Sequence, residues 1–223
     1  MSTSDKLSPE AIHLIRPLCY KIMLRENIGY DFGSWKCGLL YSGINLRDFD
    51  ELLLTNDSVY APMFPLNTVL AGLKADMNGI TDSYEINYHI MSYFVLYKKA
   101  VFHSENFIQK WRAVRMLPNS LKGLIIELYE IGMSQYFKAS GHSLAAWIPV
   151  DTLKEKYDLP LDLNKFNSVH MLWRELIRNE RCPIMKVDLF SRFIKNGKFS
   201  DWKEIVAETK YPIEHILKHQ KLI

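Results

Sequence analysis

Apolar and polar positions follow two periods along this chain, and the changes between them mark out its elements. Ser8-Pro9-Glu10 opens a first helix with a capping serine, proline at the first helical position and an acid in the first turn. Ile12, Ile15 and Leu18 give that helix one buried side. The mostly apolar run 20–24 predicts a buried strand, and a helix follows from about 30 to Leu40. Leu52-Leu53-Leu54 predicts a short buried strand, 66–73 a helix after Pro62 and Pro65, and 77–81 a further strand. The aromatic and β-branched run 90–97 predicts a central strand. Ser104-Glu105 caps a helix to about Arg115, and Pro118-Asn119-Ser120 restarts one that ends at Gly141. Trp147-Ile148-Pro149 predicts a late strand. Beyond 151, charged helical segments alternate with proline and glycine, without a strand of useful length. The pattern predicts an α/β core over 1–150 with a mostly parallel or mixed sheet, and a helical extension over 151–223 packed onto it.

Two strand ends carry polar chemistry. The run Arg25-Glu26-Asn27-Ile28-Gly29-Tyr30-Asp31-Phe32-Gly33-Ser34-Trp35-Lys36 puts glycines, a carboxylate, an amide and a lysine after the strand 20–24. Open α/β folds bind ligands at such carboxyl edges. Thr55-Asn56-Asp57-Ser58 does the same after Leu54. Its carboxylate, amide and hydroxyl are hard oxygen ligands suited to a divalent ion, although the same residues are ordinary turn formers. Glu127 and Glu130 share one face of the 121–139 helix beside Leu124, Ile125, Leu128 and Ile131. A carboxylate pressed towards an apolar cleft can serve as a general base. A solvated glutamate is the commoner fate of any one such residue. His89, with Ser92 and Tyr93, begins the aromatic strand, where a lone histidine is more often structural than a ligand. His215 and His219 lack zinc-protease spacing and read as solvent-facing. The chain has no phosphate-binding glycine loop and no nucleophile elbow.

Composition narrows the class. The 223 residues are 48% hydrophobic and 24% charged, with a formal charge of +3, too little to argue for nucleic acid. Cys19, Cys37 and Cys182 stand far apart and read as reduced, buried thiols. No run suits a membrane span or a signal peptide, so a cytoplasmic location is expected. The segment 202–223 mixes lysines with Ile205, Ile213, Ile216 and Leu217. It could lie on anionic lipid, but a helical face docked on the core is the commoner outcome.

The run 25–36, together with Leu52-Leu53-Leu54-Thr55-Asn56-Asp57-Ser58-Val59-Tyr60-Ala61-Pro62 and His89-Ile90-Met91-Ser92-Tyr93-Phe94, resembles the rhamnan synthesis protein F family. The likeness continues through Ser168-Val169-His170-Met171-Leu172-Trp173 and Cys182-Pro183-Ile184-Met185-Lys186-Val187. Members are bacterial glycosyltransferases of rhamnose-containing cell-wall polysaccharide and O-antigen. The resemblance implies a GT-A-like nucleotide-sugar fold, a Rossmann-like mixed sheet flanked by helices and shortened at the N-terminus. It implies a dTDP-deoxysugar donor, such as dTDP-rhamnose, and a lipid-linked saccharide acceptor at the inner membrane face, where a partner transferase could join it. Asn27, Gly29, Tyr30, Asp31, Lys36, Asn56 and Ser58 are then expected to face the donor, and His89 and Ser92 the acceptor. Asp57 and His170 would hold a divalent metal, Mg or Mn. Glu130, at the family's interval before Gly141, is preferred to Glu127 as the base of an inverting transfer. Met91 stands where the family usually has glutamine. The rival reading is a degenerate, non-catalytic transferase serving as a scaffold in polysaccharide assembly. A metal-dependent hydrolase ranks below both.

Overall fold

The computed structural model describes residues 1–4, 7–159, 162–193 and 199–221. Among these, strands β1 (Glu51–Thr55), β3 (Met77–Ser83), β4 (His89–Ile90), β5 (Phe94–Lys98) and β6 (Leu144–Ile148) form the main sheet. Strands β2 (Val59–Tyr60) and β7 (Met185–Lys186) form a separate ribbon. β5 lies between β1 and β3 and is antiparallel to both, whereas β3 and β6 are parallel. The architecture is α/β with a mixed sheet, and most of its pairs are antiparallel.

β5 shows why the run 90–97 reads as central. Val95 and Tyr97 enter the core on one face, packed against Phe32, Trp35, Phe107, Trp111 and Phe137. Phe94 and Leu96 enter the core on the other, against Val69, Ile80, Ile148, Leu153 and Leu176. A strand covered on both faces needs apolar side chains at every position. The run is nevertheless not one strand. Asp82 pairs with Ile90 and Gly79 with Val95, so two extra residues bulge out between β4 and β5.

The predicted helices are present with their caps. Ser8 Oγ accepts the Ala11 N–H, and Ser104 Oγ accepts the Phe107 N–H at the start of helix Glu105–Ala113. Gly141 has φ +88°, which places it as the left-handed stop. There the Gly141 and His142 N–H groups donate to the Lys138 and Phe137 carbonyls. The helical run from Lys122 to Ala139 contains a π-helical stretch at Ile126–Ile131.

Three expectations fail. The run 20–24 is not a buried strand: Tyr20 is 89% and Leu24 58% exposed, and its ladder is one parallel bridge between Ser2 and Leu24. A strand needs a neighbour as well as an apolar pattern, and β1 pairs with β5 alone among the described residues. The first helix, Pro9–Ile15, has no buried residue: Ile12 and Ile15 are half-buried, and Leu18 is exposed in the 3-10 turn that follows. Cys19 is exposed and Cys37 half-buried; Cys182 is the buried thiol of the three.

The C-terminal region packs inward. Cys182 and Ile184 join the core beside Val69 and Ile80. Trp202, Ile205, Val206 and Ile216 are buried in a cluster with Tyr60, Trp173 and Phe190. The last two positions of the lysine-rich tail lie outside the described residues. Among the described residues, no helix is long and apolar enough to cross a membrane.

Gly79 sits where the bulge begins, and a Cβ there would run into the Ile90 side chain. Gly79→Ala is expected to lower stability by about 1–3 kcal/mol, the range for overpacking a core. Urea unfolding followed by tryptophan fluorescence measures this. An unchanged midpoint would show that the bulge tolerates a side chain.

Candidate functional site

The site begins at the carboxyl end of β1. Thr55 is fixed from two sides: its carbonyl accepts the Trp35 indole N–H at 3.2 Å, and its Oγ1 donates to the Tyr93 carbonyl at 2.9 Å. The chain then turns through Asn56-Asp57-Ser58 into β2. The Ser58 N–H and Oγ both donate to Asn56 Oδ1, at 3.1 and 2.7 Å. Asn56 Nδ2 donates to Asp31 Oδ2 at 2.8 Å, in the first turn of helix Tyr30–Tyr41. The two clusters singled out in the sequence therefore meet.

A third component comes from the C-terminal region. β2 and β7 pair antiparallel, Val59 against Lys186, and the Val187 N–H donates to the Ser58 carbonyl. This register brings Lys186 Nζ within 3.0 Å of Ser58 Oγ and 5.3 Å from the centre of the Tyr93 ring. A continuous path results, in which Lys186 donates to Ser58, Ser58 to Asn56 and Asn56 to Asp31.

The fourth component is Glu130, in the π-helical stretch, whose Oε1 accepts the Ser92 N–H at 2.8 Å. Ser92 lies in the bulge between β4 and β5, so one local irregularity supplies the donor and another aims the acceptor. The pair borders a small void of about 10 Å³ that Trp35, Tyr129 and Met133 also line.

The charges act on one another. Burial pushes the Asp31 carboxyl above its usual range, and the charges of Asp57 and Glu130 push the same way, against the Asn56 hydrogen bond and Lys186. Burial pulls the Lys186 ammonium below its usual range, and Asp188, Glu130 and Asp31 partly restore it. Asp57 itself is exposed.

Several expected ligand contacts have other partners. Asn119 holds the 27–30 turn: its Nδ2 donates to the Asn27 carbonyl at 2.8 Å, and its Oδ1 accepts the Gly29 N–H at 3.1 Å. Its carbonyl accepts the Tyr30 hydroxyl at 3.2 Å. Lys36 Nζ donates to the Arg112 and Val114 carbonyls, closing helix Glu105–Ala113, which is a structural use of its charge. His89 is buried with its Nδ1 2.8 Å from the Asn87 carbonyl. His170 Nε2 is 2.9 Å from Asp188, which also pairs with Arg192. No group of three or more His, Cys, Asp or Glu side chains among the described residues is placed to hold a metal ion.

Sequence reasoning passed over Lys186, Asp188 and Asn119. Lys186 and Asn119 stood in quoted runs, but no spacing rule connects residues 90 or 128 positions apart. A larger cavity of about 470 Å³ lies elsewhere, between Tyr20, Met23, Leu39, Phe49 and Leu53. It is mostly apolar, with Lys21 and Glu51 in its lining, and does not include Asp31, Asn56, Glu130 or Lys186.

The family model for rhamnan synthesis protein F matches residues 1–223. The "Virulence protein VirA" of Vibrio anguillarum is 33% identical over 197 residues, covering 77% of this chain and 62% of that protein. The "Uncharacterized protein y4gN" of Sinorhizobium fredii is 28% identical over 144 residues, covering 61% of this chain and 37% of that one. The chain thus spans less than two thirds of the length of these relatives. No solved structure matches it.

Burial raises the Asp188 carboxyl, but the His170 hydrogen bond and charge, Arg192 and Lys186 outweigh it and hold the group well below its usual range. A carboxylate lowered on folding contributes stability above its unfolded value of about 3.9, and loses it as pH falls. Asp188→Asn should therefore destabilise most above about pH 5, with the gap to the parent narrowing below about pH 4. Thermal melts across that range test this; a gap independent of pH would contradict the pairing.

Proposed function

The chain belongs to the rhamnan synthesis protein F family, and from that premise we propose that it is a glycosyltransferase of surface-polysaccharide assembly. It moves a deoxysugar, rhamnose in the first instance, from a dTDP-sugar to a lipid-linked saccharide at the cytoplasmic face of the membrane. The mixed sheet flanked by helices is compatible with the GT-A-like fold that such donors occupy. The observation that supports the reading is the hydrogen-bonded meeting of Asp31, Asn56 and Ser58 at the end of β1, with Glu130 held at Ser92, next to the Tyr93 carbonyl that Thr55 bonds. A relative named as a virulence protein accords with a role in surface glycans.

Glu130 acts as the base. The Ser92 N–H holds Oε1, which leaves Oε2 to take the proton from an acceptor hydroxyl. The acceptor oxygen attacks the anomeric carbon from the face opposite the diphosphate. The bond between that carbon and the phosphate oxygen breaks, and its electron pair leaves with the diphosphate. One displacement of this kind inverts the sugar centre. Asn56 and Ser58 position the donor edge, and Asp31 sets the charge beside it.

The residues read for a divalent ion fit that role poorly. His170 is committed to Asp188, and Asp57 has no second and third ligand beside it among the described residues. No step here depends on a metal. The scaffold reading shares the same fold, and it is favoured if the polar cluster binds no nucleotide.

Gln keeps an oxygen for the Ser92 N–H but cannot take a proton. Glu130→Gln should lower kcat by about 10²–10⁴-fold, the usual worth of a general base, with little change in dTDP affinity. Release of dTDP from dTDP-rhamnose with an acceptor extract, alongside calorimetry, measures both. Lost nucleotide binding with kcat retained would remove Glu130 from the role of base.

A further inference from the structure

We propose that Lys186, delivered by the C-terminal strand β7, is the cation that holds the diphosphate of the donor and receives its charge as it leaves. The proposal rests on the transferase reading above and names the group that reading still lacks. Three carboxylates lie toward the end of the sheet: Asn56 joins Asp31 to the turn that carries Asp57, and Glu130 holds the Ser92 N–H, one residue before the Tyr93 carbonyl that Thr55 bonds. A nucleoside diphosphate cannot settle beside them without positive charge close by.

The structure brings Lys186 to that place by backbone geometry. β2 follows directly from the Asn56-Asp57-Ser58 turn, and its pairing with β7 fixes the register of Lys186 against Val59. The Met63 N–H to the Pro183 carbonyl and the Val187 N–H to the Ser58 carbonyl lock the ribbon on both sides. Lys186 is half-buried and its ammonium stands over the Tyr93 ring, a face that favours cations. A buried ammonium is costly unless several partners compensate it. Ser58 Oγ takes one of its three N–H bonds, and no other hydrogen bond to it is made among the described residues, which leaves two for phosphate oxygens.

Lys122 lies close enough to depress the Lys186 ammonium further, and its own ammonium is 5.9 Å from the Tyr30 ring centre. The repulsion between two ammonium groups is relieved by an anion of high charge. A diphosphate is such an anion, while a neutral sugar is not. The positive end of the Lys186–Ser58–Asn56–Asp31 path therefore marks the diphosphate side of the site. In the displacement, the electron pair that leaves the anomeric carbon ends on the phosphate oxygen facing Lys186. No proton transfer from the lysine is needed, because the diphosphate is stable as an anion.

Calorimetry with inorganic pyrophosphate and with dTDP, both in excess chelator, tests the assignment. The parent protein should bind both ligands without a metal. Lys186→Gln, which keeps a donor for Ser58 and removes the charge, should weaken both about ten- to hundredfold, the worth of charge-assisted hydrogen bonds. Lys186→Arg should retain most of the affinity, and thymidine, which has no phosphate, should not distinguish the three proteins. If Lys186→Gln fails to fold, amine labelling of the parent read by mass spectrometry replaces it, with dTDP expected to protect Lys186 several-fold. Binding of dTDP that requires Mg²⁺ or Mn²⁺ and is unaffected by Lys186→Gln, or labelling that dTDP leaves unchanged, overturns the role of Lys186 while the transferase reading stands. Binding of pyrophosphate but not dTDP supports Lys186 and moves the donor to another base. A parent protein that binds neither removes both proposals together.

Discussion

The hydrogen-bonded path from Lys186 through Ser58 and Asn56 to Asp31 joins an ammonium to a carboxylate through two neutral groups, with every donor facing the same way. The remaining arrangement depends on it. Lys186 opposes the push of burial, Asp57 and Glu130 on the half-buried Asp31 carboxyl, and without the lysine that push would stand against the Asn56 hydrogen bond alone. Without the serine and the asparagine, the opposite charges would lack the intermediate donors that let them share a low-dielectric edge. The path also explains why the β2–β7 ribbon, only two residues long on each strand, ties the C-terminal region to the first long helix. Its backbone bonds set one register, and that register places one charge.

Two departures from regular backbone meet at Glu130. A two-residue bulge turns the Ser92 N–H out of the ladder, and a π-helical turn brings the carboxylate to it. Either irregularity alone would leave a polar group short of a partner. Together they hold a glutamate at the border of an aromatic core that includes Trp35 and Tyr129. Bulges and π-turns recur at functional sites because they re-aim a side chain without rebuilding the element around it. Gly79 belongs to the same device, since the Ile90 side chain occupies the space its Cβ would need.

Local chemistry made much of the fold legible. The Ser8 and Ser104 caps, the Gly141 stop and the unbroken apolar run of β5 each act within a few residues, so pattern and structure agree there. Asp31, Asn56 and Ser58 could be picked out because each lies in a polar cluster a few residues after an apolar run. The run 20–24 misled because its apolar pattern is that of a strand while its pairing is one bridge. Lys36 has a partner that its local sequence does not show: its charge stands among candidate ligands, and its ammonium donates to carbonyls at the end of a helix more than seventy residues later.

By itself the sequence determined most of the helices and the longer strands of the sheet, the polar ends of β1 and of the 25–36 turn, and the family. Those properties depend on neighbours a few positions apart or on whole motifs, which a linear reading preserves. Only the tertiary structure decided that Asn119 clamps the 27–30 turn, that His170 answers to Asp188, and that Lys186 completes the path to Asp31. Each of the three depends on strand register or on packing between distant segments. A side chain's partner across such a distance is set by the free energy of the whole fold, and no local spacing carries it.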